Sequence, residues 1–286
     1  MIEKETTRND YLERINIVRD YISNHLSEEI DLKSLANLAN FSPFHFHRIA
    51  KALLGESIGS YVGRLRIEAA ARLLRYTNED ITDIAYTVGY QTRNSFSRSF
   101  TKCFGITPSD YRKKKNNFIA PTTKREFPIQ LEEPRIVKIA PKNLIYLHLS
   151  GNYEEVDYAA AWQQLWDFVE EEKIEKTAIE QLAFFHDDPH ITDLKKLRTD
   201  VCLSVPHPVA AKRAIGFKHF QGGKYAVFTH LGLSKLLEKE YDGIYLDWFI
   251  RSGEQLGDTL CFEKCYNTPT NTSQEKLKTE IYISIK

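Results

Sequence analysis

Residues 81–104 read ITDIAYTVGYQTRNSFSRSFTKCF, and this stretch decides the fold of the first 115 residues. Asp80 precedes a short apolar-periodic run that stops at Gly89, and Thr92 then opens a second run. The pattern is a short helix, a tight turn and a capped second helix. Ala85 is small enough for two helices to cross closely, Gly89 can take positive φ, and Tyr90 is placed to pack beneath the turn. Residues 32–53, LKSLANLANFSPFHFHRIAKAL, repeat the plan with Ala36, Asn40 and Phe41 in the same roles. Here Ser42 is the cap and Pro43 takes the first helical position, where its missing N–H is not needed.

Working outward, Leu12, Ile15, Val18, Ile22 and Leu26 recur at three- and four-residue spacing, predicting an amphipathic helix ahead of the first unit. Leu32, Leu35 and Leu38–Ala39 are expected to point inward. Residues 57–76 predict a helix joining the two units; about 19 residues span roughly 28 Å at 1.5 Å per residue. That suits recognition helices set one DNA turn apart, about 34 Å. Gly105 and residues 107–108 (TP) close the unit, and a basic, polar linker follows.

The chain has 286 residues, 42% apolar and 27% charged, a composition that excludes wholesale disorder and makes two domains the natural reading. Lys+Arg and Asp+Glu both number 39, yet residues 1–115 hold 18 basic against 14 acidic residues, a net of +4, and the remainder −4. That charge permits DNA binding without establishing it. Apolar runs are too short for a membrane span, and the charged start MIEKETTRND does not read as a signal peptide. Four cysteines, Cys103, Cys202, Cys261 and Cys265, then read as reduced thiols, and the expected location is cytoplasmic.

From about residue 129 the texture turns β-rich, with IVKIA, LIYLHLS, DVCLSV, KYAVFTH and EIYISI as strands and 154–172 and 234–252 as helices. Gly222 and Gly223 read as a hairpin turn. Residues 199–205 (TDVCLSV) match 279–285 (TEIYISI) at an offset of 80. Gly151 matches Gly232, and Leu165, Phe168 and Val169 match Leu246, Phe249 and Ile250, at an offset of 81. Two strand–helix–strand–strand copies are implied, packed on each other with a ligand groove between them.

Residues from about 8 to 114 resemble the DNA-binding domain of the AraC/XylS family of bacterial transcription regulators. The likeness is carried by Ile81, Ile84, Ala85, Gly89, Tyr90, Phe96, Arg98, Phe100, Lys102, Gly105, Thr107, Pro108, Tyr111 and Arg112. Ile58 and Tyr90 depart from the common pattern, away from DNA-facing positions. The resemblance implies that Phe44, His47 and Arg48, then Arg93, Asn94, Ser97 and Arg98, read bases. Arginine suits guanine, asparagine suits adenine, and Phe44 suits a thymine methyl. Ser42 and His45 at the first helix start, and Thr92 at the second, complete the expected DNA-facing set.

Residues 128–286 resemble the GyrI-like small-molecule-binding domain, through 150–153 (SGNY), Trp162 to Trp166, 187–189 (DDP), 222–227 (GGKYAV), Trp248, 262–263 (FE) and 279–283 (TEIYI). The resemblance implies a bulky, aromatic and often cationic effector with a buried glutamate as its charge partner, which falls on Glu263. Tyr153, Trp162, Trp166, Phe184, Tyr225, Trp248 and Tyr266 are the aromatics expected to stack on it.

The expected fold class is therefore multidomain: an all-α double helix-turn-helix domain at 8–115, a linker at 116–127, and an α/β (α+β) GyrI-like domain of two βαββ repeats at 128–286. Expected partners are double-stranded promoter DNA, RNA polymerase and a small-molecule effector, with no membrane and a monomer or dimer. No cofactor, catalytic residue or metal site is expected. His45 and His47 lie about 200° apart on a helix, residues 186–190 (HDDPH) read as a solvated loop, and Cys261 and Cys265 lack a second pair. The alternatives are a hydrolase of lipophilic compounds, with Glu263 as general base, and a gyrase-type protein-interaction module.

Overall fold

Among the described residues, seven α-helices begin with a side chain that satisfies orphan backbone N–H groups, which is why those helix starts are so legible. The computed structural model describes residues 2–114, 131–232, 237–257, 259–267 and 272–286. The expected linker at 116–127 and the start of the expected helix at 234 lie outside the described residues. The chain divides into an N-terminal helical unit and a C-terminal sheet unit.

The helical unit runs α1 (Ile2–Asn24), α2 (Leu32–Leu38), α3 (Pro43–Leu54), α4 (Ile58–Tyr76), α5 (Ile81–Thr87), α6 (Arg93–Phe104) and α7 (Pro108–Lys113). Asp31, Ser42, Ser57, Asp80, Thr92 and Thr107 cap α2 to α7 in order. Gly55 and Gly105, at φ 75° and 72°, end α3 and α6 in the left-handed conformation. Ile15, Val18, Ile22, Leu35, Ala36, Phe46 and Ala50 form the first core, and Ile84, Ala85, Phe96 and Phe100 are sealed in the second half. Leu32 and Leu38 differ from expectation: both are exposed, because a seven-residue helix buries one narrow stripe, here Leu35 and Ala36 with Ala39 behind.

The sheet unit contains β1 (Arg135–Ile139), β2 (Lys142–Ser150), α8 (Tyr158–Glu171), β3 (Gln181–Phe185), β4 (Arg198–Val205), β5 (Ile215–Phe220), β6 (Gly223–Leu231), α9 (Leu237–Gly243), a π-helical turn (Ile244–Trp248), α10 (Phe249–Ser252), β7 (Phe262–Cys265) and β8 (Lys278–Ile285). All eight strands form one antiparallel sheet in the order β1-β6-β8-β7-β3-β4-β2-β5. The order is symmetric about the β7–β3 pair: β2-α8-β3-β4 and β6-α9/α10-β7-β8 are the two repeats.

Register places alternate residues on opposite faces. One face carries Ala226, Phe228, Ile281, Ile283 and Ile285 against Leu237, Ile244 and Trp248 of the α9–α10 segment. On that face α8 buries Ala161, Leu165, Phe168 and Val169 over β2 and β4. The other face gathers Tyr146, Phe184, Tyr225, Phe262 and Tyr282. Phe220 on the edge strand β5 reaches Phe184 at 5.5 Å and Phe262 at 5.6 Å, so the sheet curls around these rings.

Three expectations are corrected. Gly222 and Gly223 do not join a hairpin: β5 pairs with β2, while β6 pairs with β1 and β8. Gly222 is needed for another reason, since a Cβ there would stand 2.1 Å from the Ile139 carbonyl oxygen. The helix expected from 154 starts at Tyr158, capped by Asp157, because residues 151–156 form a turn pinned by Tyr153. The 186–190 loop is anchored as well as solvated: Asp187 is buried and holds the Arg198 guanidinium at 2.7 and 2.9 Å.

Candidate functional site

Among the described residues two places are candidate sites, and the first is the outward surface of α3 and α6. In α3, Phe46 and Ala50 face the core, which turns Phe44, His47 and Arg48 outward together. Phe44 is 69% exposed, an unusual position for a phenylalanine, and the Arg48 guanidinium lies 5.9 Å from its ring centre. His45 is exposed beside them, and the Ser42 hydroxyl accepts from its backbone N–H at 3.4 Å. In α6, Phe96 and Phe100 face inward, leaving Arg93, Asn94 and Arg98 exposed and Ser97 half-buried. Thr92 caps this helix by accepting from the Ser95 N–H at 3.1 Å. Among the described residues Arg48, Arg93 and Arg98 are held in no ion pair, so their forks of five N–H donors are open. The whole expected DNA-facing set thus lies on these two helices and their caps.

The turns that present the helices match. Asn40 has φ 53° and Gly89 φ 86°. Phe41 meets Tyr11 edge-to-face at 5.5 Å, and Tyr90 meets Phe96 likewise at 5.5 Å. The two units therefore present equivalent, outward, donor-rich faces built by the same local rules.

The second place is the centre of the sheet. Glu263 on β7 pairs with Ala183 on β3 and Ile281 on β8, and so points to the helix-bearing face. It is 6% exposed, and the Tyr241 hydroxyl of α9 donates to its Oε1 at 3.0 Å. Burial pushes its carboxyl up to about 7, against the opposing effect of the Tyr241 hydrogen bond. Burial, with Glu263 beside it, holds the Tyr241 hydroxyl far above its ordinary range, and burial also raises Cys265 to about 12. Tyr158 at the start of α8 is raised by burial, with the nearby Glu263 adding to it. Tyr241 and Tyr245 stack at 6.4 Å, and Tyr245 and Phe249 at 5.8 Å, across the π-helical turn. Such wide turns recur at functional positions because they re-aim side chains inside a helix.

The expected ligand set does not converge on Glu263. Trp162 and Trp166 lie half-buried on α8, on the glutamate's face. Phe184 and Tyr225 belong to the packed aromatic cluster of the opposite face. Trp248 is core, meeting Phe228 edge-to-face at 5.2 Å. The Tyr153 hydroxyl donates to the Asp187 and Arg198 carbonyls and accepts from the Asp187 N–H, which commits it to the loop. Tyr266 is exposed and donates to Glu280 at 2.8 Å. Tyr158, Tyr241 and Tyr245 were not singled out by sequence; the four-residue spacing of Tyr241, Tyr245 and Phe249 is the signal that could have found them.

Comparison with known proteins agrees with both halves. The model of the GyrI-like small molecule binding domain matches residues 132–286, and a helix-turn-helix domain model matches residues 35–114. The uncharacterized HTH-type transcriptional regulator YbfP of Bacillus subtilis is 36% identical over 107 residues, 37% of this chain and 35% of that protein. The transcriptional regulator Rob of Salmonella typhimurium is 25% identical over 258 residues, 78% of this chain and 80% of that protein. Among solved structures, the C-terminal domain of AraT, a response regulator from Geobacillus stearothermophilus, is 35% identical with a TM-score of 0.35, covering 40% of this chain and 93% of that one. The chain spans about a third to a half of the length of the first curated relatives that it matches.

Proposed function

Because the chain belongs to the GyrI-like small-molecule-binding family through residues 132–286 and carries an AraC-type helix-turn-helix domain ahead of it, we propose that it is a ligand-responsive transcription regulator. Its helical unit reads promoter DNA through α3 and α6, with Arg48, Arg93, Asn94 and Arg98 as the base-reading side chains and Ser42 and Thr92 at helix ends that favour phosphate. The observation that carries this reading is the twice-built outward face: two helices, each capped, each closed by a left-handed glycine, each with its polar stripe open. Competition between duplexes tests it, since a merely electrostatic binder loses affinity steeply with salt and prefers no sequence.

The sheet unit binds a lipophilic aromatic cation, with Glu263 as its charge partner and Trp162, Trp166, Tyr158, Tyr241 and Tyr245 as its aromatic surroundings. A buried carboxylate needs such a partner when it ionises. The effector regulates by binding two states of the protein unequally, and RNA polymerase is the partner through which a bound regulator acts. The location is cytoplasmic, and the sheet unit works as a sensor rather than an enzyme. Among the described residues no helix is long and apolar enough to cross a membrane.

One observation favours a second reading. A carboxyl near 7 beside a tyrosine hydroxyl is also how a general base is poised. Glu263→Gln separates the two: a hydrolase loses turnover of a lipophilic ester, whereas a sensor has no turnover to lose and loses cation affinity.

A further inference from the structure

The two helix-turn-helix units are joined by α4, and one side chain on α4 does more than continue the helix. The Arg66 Nε donates to the Leu26 carbonyl at 2.9 Å, and an Nη donates to the Glu28 carbonyl at 2.6 Å. Both carbonyls lie in the connection between α1 and α2, and so belong to the first unit. The same guanidinium lies close against Gly89, the turn of the second unit. A Cβ on Gly89 would stand 2.9 Å from the Arg66 Cζ and Nε and 2.3 Å from the Leu26 oxygen. Leu26, Arg66 and Gly89 are therefore in mutual contact: the first unit's carbonyl and the guanidinium that it accepts from both lie against the second unit's turn.

Arg14 shows what an arginine does when it serves one unit only. Its Nη donates to the Asn40 carbonyl at 3.0 Å, and its guanidinium lies 4.9 Å from the Phe41 ring centre, all within the first turn. Arg66 reaches out of its own unit instead. A helix such as α4 fixes the distance between the units it joins, but their angle about its axis is set by contacts off that axis. Among such contacts a planar fork with two carbonyl acceptors is stiff in a way an apolar contact is not.

Resting on the reading of α3 and α6 as DNA-reading helices, we propose that Arg66 is a positioning residue that sets the angle between them and thereby the half-site spacing the protein accepts. Arg66 touches no base in this account. Its loss frees the angle and leaves each helix's own readout intact.

The test uses the full chain and duplexes it selects from a random library. The enriched sequence is rebuilt with one to three base pairs inserted between its two halves, and as a duplex holding one half alone. Wild type is expected to lose about 30-fold or more in affinity on insertion, because each inserted pair rotates one half-site away from its helix. Arg66→Ala is expected to shrink that loss to about threefold, with single-half affinity within about twofold of wild type. Arg66→Lys keeps charge and stem but cannot fork across two carbonyls, and is expected to fall between them; it serves where the alanine variant melts too low to assay. A folded variant that keeps the wild-type spacing profile overturns the proposal, as does one whose single-half affinity falls as far as its two-half affinity. A wild-type chain that enriches no two-part sequence overturns the DNA-reading assignment itself, and this inference with it.

Discussion

Glu263 and Ala183 occupy the same position of the two repeats, 80 residues apart, and face each other directly as a register pair of β7 and β3. The symmetry of the sheet thus brings a carboxylate against its own repeat mate, and that mate is a small residue. A larger side chain at 183 would fill the space beside the carboxylate. Ala183→Leu is expected to lower affinity for a panel of lipophilic aromatic cations at least tenfold, measured by calorimetry, while overpacking costs about 1–3 kcal/mol of stability. Unchanged affinity would place the cation elsewhere than over the β3–β7 pair.

Glu263 also makes stability depend on pH in a predictable direction. Its carboxyl is raised from 4.5 to about 7 on folding, so between those values the folded chain holds a proton that the unfolded chain has released. Stability then falls as pH rises through that window, by about 3–4 kcal/mol at most, since each unit is worth about 1.4 kcal/mol. Glu263→Gln is expected to remove this slope, so its melting-point advantage over wild type grows from pH 4.5 to 7 and is level above. Tyr241→Phe, which deletes the hydrogen bond that lowers the carboxyl, is expected to push the window higher. Parallel melting curves for wild type and Glu263→Gln across this range would contradict the account.

Cation binding to the ionised carboxylate carries its own signature. Below about pH 7 the incoming cation must displace a proton from Glu263, so affinity is expected to rise with pH and level off above it. Calorimetry in buffers of different ionisation enthalpy counts the proton released. Zero release at pH 6 would mean that Glu263 is not the charge partner.

On the DNA side, Arg93→Ala is expected to remove discrimination at one base pair, worth about 1–3 kcal/mol, with little change elsewhere in the site. Binding of variant duplexes, one position at a time, reads this out. A uniform loss across all sequences, with a shallower salt dependence, would assign Arg93 to a phosphate.

The caps admit a cheaper test of the local architecture. Ser42 and Thr92 each satisfy a donor at the N-terminus of α3 or α6. Ser42→Ala and Thr92→Ala are each expected to cost about 1 kcal/mol in chemical denaturation, with the larger effect at Thr92, whose hydrogen bond is shorter. Wild-type stability in Thr92→Ala would mean that the cap is not formed in solution.

What the sequence disclosed and what it hid follow the range of the interactions involved. Caps, glycines and three-to-four periodicity act within a turn of helix, so α3 and α6 are readable from Ser42, Thr92 and Gly105, while their outward residues come from the family resemblance. The repeat at an offset of 80 likewise disclosed both halves of the sheet. Which face each strand residue joins is set by register, a long-range property, and a one-residue change exchanges the faces. Glu263 and Phe262 are neighbours in sequence and lie on opposite faces, so a list of nearby aromatics could not sort Phe184 and Tyr225 from Trp162. Gly222 misled for the same reason: two glycines between strands suggest a hairpin, but the partners of β5 and β6 are chosen by the whole sheet.

Methylation interference on a duplex selected by the full chain tests the central claim most directly, because guanine N7 lies in the major groove where α3 and α6 are assigned to read. Two clusters of interfering guanines, on one face of the duplex and about one helical turn apart, are the expected result. A single cluster, or none with binding intact, would contradict a chain that reads DNA through both helices.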